Sequence, residues 1–181
     1  MTNTAVGTGT LAFSDSGSGT FSYTVSGVTQ AKPITKFVFD SPVPVCTFAS
    51  RIAPAQATNY QGLWWGAPGS ETGWSLSLTH QDNTLVVDWF THDAGGRPTW
   101  YSAALFNVFG TTYAGALLQS TGPPWNSAPF DPRNVTLSAV GTASLTFADG
   151  NNAAFTYTLG GVTQVKQITR FVFVAPGTIC Q

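Results

Sequence analysis

Two stretches of the chain repeat one another. Residues 6–39 read VGTGTLAFSDSGSGTFSYTVSGVTQAKPITKFVF and residues 140–173 read VGTASLTFADGNNAAFTYTLGGVTQVKQITRFVF. They align without a gap, with 19 of 34 positions identical, and the same offset carries on until Cys46 falls on Cys180. Whatever one stretch folds into, the other must be able to fold into as well.

Each repeat parses as three strands. The first is expected at Thr10–Ser14 or Ser144–Ala148, followed by polar turns at Asp15–Gly19 and Asp149–Asn152. The second alternates Phe21, Tyr23 and Val25 with polar residues, as Phe155, Tyr157 and Leu159 do in the later copy. Period-two alternation marks a strand with one buried face. Ser26-Gly27 and Gly160-Gly161 then supply tight hairpins, because glycine reaches the positive φ such turns need. The third strands run from Val28 to Phe39 and from Val162 to Phe173.

The middle continues in the same style. Gly62–Trp65, Gly73–His80, Thr84–Thr91, Thr99–Leu105 and Thr112–Ser120 are short alternating or apolar runs separated by turn residues. No segment sustains a helical period. Five middle strands and three C-terminal ones make eight in sequential order. That is the number for an all-β, antiparallel, up-and-down barrel of the avidin or lipocalin kind, with a β-sandwich as the alternative.

Residues 1–47 then form a surplus three-stranded unit, 48–57 a linker within the Pro-, Ala- and Ser-rich stretch 40–59, and 58–181 the full domain. A lone three-stranded sheet buries too little surface to stand by itself, so this unit is expected to dock on the main body or on another chain, including a second copy. Pro33 stands where the later repeat has Gln167, which removes a ladder donor and points to an edge strand.

Composition limits the functions open to such a fold. Charged residues are 8 % and the formal net charge is −1. That removes the electrostatic basis for a nucleic-acid partner. No apolar run is long enough for membrane insertion as a helix. The scarcity of Lys and Glu, with abundant Ser, Thr, Gly and Asn, points to a secreted or periplasmic product whose signal peptide lies outside this sequence. The matched positions of Cys46 and Cys180 suggest a disulfide between them, the alternative being free or intermolecular thiols.

Catalytic and metal chemistry find little support. His80 and His92 end successive strands, which places them at opposite ends of a hairpin, about 25–30 Å apart at about 3.3 Å per residue. They cannot share a metal, and each sits beside an aspartate suited to a turn. Two cysteines without CxxC spacing are not a metal site. No GxSxG, HExxH, phosphate-loop or GxGxxG pattern occurs. Glu71, the single glutamate, and Asp88, within a strand, are the weak candidates for a functional acid, and no cofactor is implied. The six tryptophans, Trp64, Trp65, Trp74, Trp89, Trp100 and Trp125, all lie outside the repeats and are the candidate ligand-binding residues. Trp64 and Trp65 are adjacent on one strand, so one faces the core and the other faces out, either as a binding surface or covered by residues 1–47.

The strings GLWWG (62–66), ETGWSLSLTHQDNTLVVDWFTHDAGGRPTW (71–100), YAGALLQSTGPPW (113–125) and the VGT…VTQxKxITRxVF ending resemble a recurring β-repeat of exported Gram-negative proteins. That repeat occurs in tandem or attached to secreted enzymes. The resemblance covers residues 58–173 as one unit, with 6–39 similar to the tail of another, and His92 departs from the tyrosine of the pattern. It implies a module outside the cytosol and assigns no catalytic residue. The expected function is a non-catalytic extracellular binding or adhesion module contacting a glycan or a protein through exposed aromatics. The alternatives are a self-assembling structural repeat and a small secreted hydrolase.

Overall fold

A computed structural model describes residues 4–50 and 52–181. The chain divides into two compact units, one of residues 1–39 with 122–135, the other of residues 40–121 with 136–181.

The larger unit is a closed eight-stranded antiparallel barrel, not a sandwich. Its strands are β5 (Gly62–Gly66), β6 (Ser75–Gln81), β7 (Thr84–His92), β8 (Pro98–Phe109), β9 (Thr112–Thr121), β10 (Thr136–Phe147), β11 (Asn152–Leu159) and β12 (Val162–Arg170). Each pairs with its sequence neighbour, and β12 closes on β5 through Ile168–Gly66, Thr169–Trp65 and Arg170–Trp64. Closure leaves this sheet without an unpaired edge.

Alternation decides what fills the barrel. Trp64, Leu76, Leu78, Leu85, Val87, Trp89, Tyr101, Leu105, Tyr113, Leu117, Leu145, Phe147, Phe155 and Ile168 are all buried in one cluster. Every second residue on each strand points outward. An eight-stranded barrel is just wide enough for its side chains to fill. Where strands approach too closely for a side chain, glycine is required. A Cβ on Gly141 would stand 1.9 Å from the carbonyl oxygen of Thr158. The Gly160-Gly161 hairpin has φ of 57° and 79°, the two positive values of a type I′ turn.

Residues 40–59 are built onto the barrel. Thr84 Oγ1 donates to the Asp40 carboxylate at 2.7 Å, and Gly150 N donates to the Ala55 carbonyl at 3.0 Å. The two-residue strand β4 (Cys46–Thr47) pairs with β13 (Ile179–Cys180), and a Cys46–Cys180 disulfide spans the pair across 134 residues of sequence. Such a bridge is compatible with a location outside the reducing cytosol.

The smaller unit is an antiparallel sheet of β1 (Gly7–Phe13), β2 (Ser18–Val25) and β3 (Val28–Thr35) in that order. Pro33 is on an edge strand, where its missing N–H leaves no ladder partner wanting. Trp125, from the loop between β9 and β10, packs with its ring centroid 5.8 Å from that of Tyr23. Among the described residues no helix is long and apolar enough to cross a membrane.

Candidate functional site

The outer wall of the barrel gathers several of the residues singled out above. Cross-strand register places Thr169, Trp65, Ser75, Phe90 and Trp100 in one row across β12, β5, β6, β7 and β8. Their sequence neighbours Trp64, Leu76, Trp89 and Tyr101 point into the barrel, so the row itself points out. Phe90 and Trp100 are directly opposite one another and both exposed, and Trp65 is half-buried. Neighbouring strands lie about 4.8 Å apart, so the aromatics from Trp65 to Trp100 cover about 14 Å of wall.

One residue pair along, Ser77, Asp88 and Ser102 form a second outward row. Asp88 lies two residues from Phe90 on the same face of β7. Among the described residues its carboxylate has no hydrogen-bond or ion-pair partner. Partial burial pushes its carboxyl above the ordinary aspartate value. A partly desolvated carboxylate that accepts from no protein group is an acceptor open to a ligand's hydroxyl or amide hydrogens.

The aromatic row ends at a concavity. Trp65 meets Phe171 edge to face with centroids 5.2 Å apart, and Phe171 is one wall of a cleft of about 630 Å³. Phe48, Leu63, Val172 and Phe173 supply further apolar wall, and the Cys46–Cys180 bridge lies at its side. The Gln61 amide reaches toward both sulfurs at 3.7 and 3.6 Å. The volume is within the ordinary range for a ligand pocket, about 300–1,000 Å³.

The remaining candidates are placed elsewhere. Trp64 is fully buried beneath Arg170 and against Phe147. Trp89 is in the core against Phe155 and Tyr157, and Trp74 packs at the core's margin near Phe155. Trp125 belongs to the smaller unit. Glu71 is an exposed loop residue paired with Lys166, which lowers its pKa through that hydrogen bond. No hydrogen bond joins it to Asp88.

His80 is a structural residue. Tyr60 N donates to its Nδ1 at 3.0 Å, so Nε2 carries the proton and donates to the Asp82 carbonyl at 2.9 Å. Burial lowers its pKa and keeps it neutral. His92 is exposed at the end of β7. Among the described residues no group of three or more His, Cys, Asp or Glu could hold a metal ion.

Sequence reasoning missed two contributors. In the sequence Phe90 is one apolar residue of the run Thr84–Thr91, and Phe171 falls within the Phe-Val-Phe that ends the later repeat. Their place beside Trp65 and Trp100 depends on register between strands, which no local pattern states. No protein-family model matches the chain, and no curated protein or solved structure matches it.

Proposed function

We propose that the chain is a non-catalytic binding module of a secreted or periplasmic protein, of the exported β-repeat kind it resembles, and that its ligand is a carbohydrate. The observation that carries this reading is the outward row of Trp65, Phe90 and Trp100, bounded by the Phe171 cleft and by the unpartnered Asp88. Sugar rings offer C–H faces to aromatic planes and hydroxyls to carboxylates, so one surface satisfies both needs. Exposed aromatics grouped on one wall require an explanation that scattered ones do not. Glu71, the other candidate acid, is tied to Lys166, and among the described residues no contact joins it to Asp88 as a glycoside hydrolase pair would need.

A glycan array on the purified chain, followed by calorimetry on the hits, tests the reading. Binding that Trp100→Ala and Phe90→Ala abolish with an unchanged thermal midpoint supports it. Hits that survive both substitutions, or no hit at all, remove it.

A further inference from the structure

The sheet β1–β3 and the barrel strands β10–β12 are one structure built twice. Gly7 faces Val25 as Gly141 faces Leu159, and Phe21 faces Lys32 as Phe155 faces Lys166. The small contacts repeat as well. Tyr23 donates to Gln30 as Tyr157 does to Gln164, and the Thr24–Thr29 and Thr158–Thr163 hydroxyl pairs are both 2.8 Å. A Cβ on Gly7 would stand 1.9 Å from the Thr24 carbonyl oxygen, the same clash as at Gly141.

What differs is the cover. In the second repeat Leu145, Phe147 and Phe155 are 0, 2 and 0 % exposed; their counterparts Leu11, Phe13 and Phe21 are 56, 71 and 37 % exposed. The cover over β10–β12 is the five-stranded segment β5–β9. Its Trp89 lies 5.4 Å from Phe155 and 4.5 Å from Tyr157. Over β1–β3 the corresponding aromatic is Trp125, 5.8 Å from Tyr23, and a groove of about 460 Å³ between Val6, Gly9, Phe21, Tyr23, Val25 and Trp125 stays open.

We propose that β1–β3 is the closing part of a second eight-stranded barrel, and that its open face docks a five-stranded antiparallel partner built like β5–β9. The barrel shows what covers the equivalent face of β10–β12. The edges agree. β10 extends back through Thr136–Ala139, where it pairs with β9 alone, whereas Thr4–Val6 carry no strand. Among the described residues, β1 begins only at Gly7, where its pairing with β2 begins, and no β9-like strand stands beside it. At the other edge Ala67 N donates to the Gln167 carbonyl at 2.9 Å, and Pro33, at the matching position, keeps the carbonyl that this bond uses. The partner is recognised by ladder pairing at both edges and by large apolar side chains, two of them tryptophan, on its inner face.

The test uses the full chain. Residue 136 corresponds to residue 2, so a second copy of residues 60–135 joined to Thr2 presents five strands to β1 at the spacing β5–β9 have to β10. In this extended chain, hydrogen exchange across β1–β3 is expected to slow to the rate of β10–β12, and Phe21→Asp to restore fast exchange there while leaving β10–β12 unchanged. A control replaces residues 7–39 of the extended chain with residues 141–173. Ordering of the control without ordering of the extended chain overturns the proposal. If neither orders, the native chain decides. Fluorescence of an apolar dye that Leu11→Ser and Phe21→Ser do not reduce means the face is not open, and overturns it. A stable dimer of the native chain that Phe21→Asp dissolves also overturns it, since a second copy is then the occupant.

Discussion

The Arg170 guanidinium lies 5.0 Å over the ring of Trp64 and donates to three backbone carbonyls, those of Gly150, Gln61 and Asn59. Among the described residues no carboxylate pairs with it. The charge is solvated by backbone dipoles and an aromatic face, and burial lowers its pKa. One side chain thereby ties the β10–β11 side of the barrel, the entry to β5 and the core tryptophan together, where β12 closes on β5.

Arg170→Met should therefore cost about 2–4 kcal/mol, because it strands three partly buried acceptors. Arg170→Lys, the residue type of the equivalent Lys36, should recover less than half of that, since an ammonium cannot spread over three carbonyls and a ring. Arg133→Ala, which breaks only an exposed pair with Asp131, should change stability by less than about 0.5 kcal/mol. Urea midpoints on the three variants check the order.

Removing the disulfide should cost about 2–4 kcal/mol, in line with closure of a long loop. Cys46→Ser with Cys180→Ser should unfold at lower denaturant than the native chain. The native chain should rise in intact mass by two hydrogens on reduction and should resist alkylation when unfolded without reductant.

His80 and Asp88 should give stability a pH dependence of opposite signs. Burial depresses His80 below the ordinary 6.5, so the unfolded chain binds its proton first as pH falls. Stability is then lost from about that value down to the lower folded one. Burial raises Asp88 above 3.8, so the folded chain binds that proton first, and stability is gained as pH falls from the raised folded value to 3.8. Asp88→Asn should consequently stabilise the barrel at neutral pH and lose that advantage in acid. Thermal melts from pH 7 to 3 read both. A residue that costs stability while pointing outward fits a role in binding, and Asp88→Asn should weaken the glycan contact it is proposed to make.

The barrel was legible because its signals are local and consistent. Alternation named the inward residues, Ser26-Gly27 and Gly160-Gly161 named the hairpins, and strand count with order gave the closure. Strand ends were less legible. β8 runs on to Phe109 beyond the expected Leu105, and β10 begins at Thr136 where only Ser144 onward alternates plainly; both carry register irregularities against β9. The Arg170 clamp was hidden because its acceptors come from positions 59, 61 and 150. Trp125 was hidden for a similar reason, since its contact with Tyr23 spans most of the chain. The aromatic wall was half visible. Trp65 follows from the Trp64-Trp65 pair, but which outward residues stand beside it depends on register.

The duplication allows the value of burial to be measured with matched substitutions. Phe155 and Phe21 are the same residue type at the same place in the same local fold, as are Leu145 and Leu11. Phe155→Ala and Leu145→Ala remove side chains from a closed core and should cost about 3–5 and 2–5 kcal/mol, transfer plus cavity. Phe21→Ala and Leu11→Ala remove side chains that water already reaches, and each should cost less than about 1 kcal/mol. Local propensity is nearly equal within each pair, so the difference isolates what the five covering strands contribute. Four single variants compared by urea denaturation suffice. Equal losses within a pair would mean that the face of β1–β3 is covered in solution.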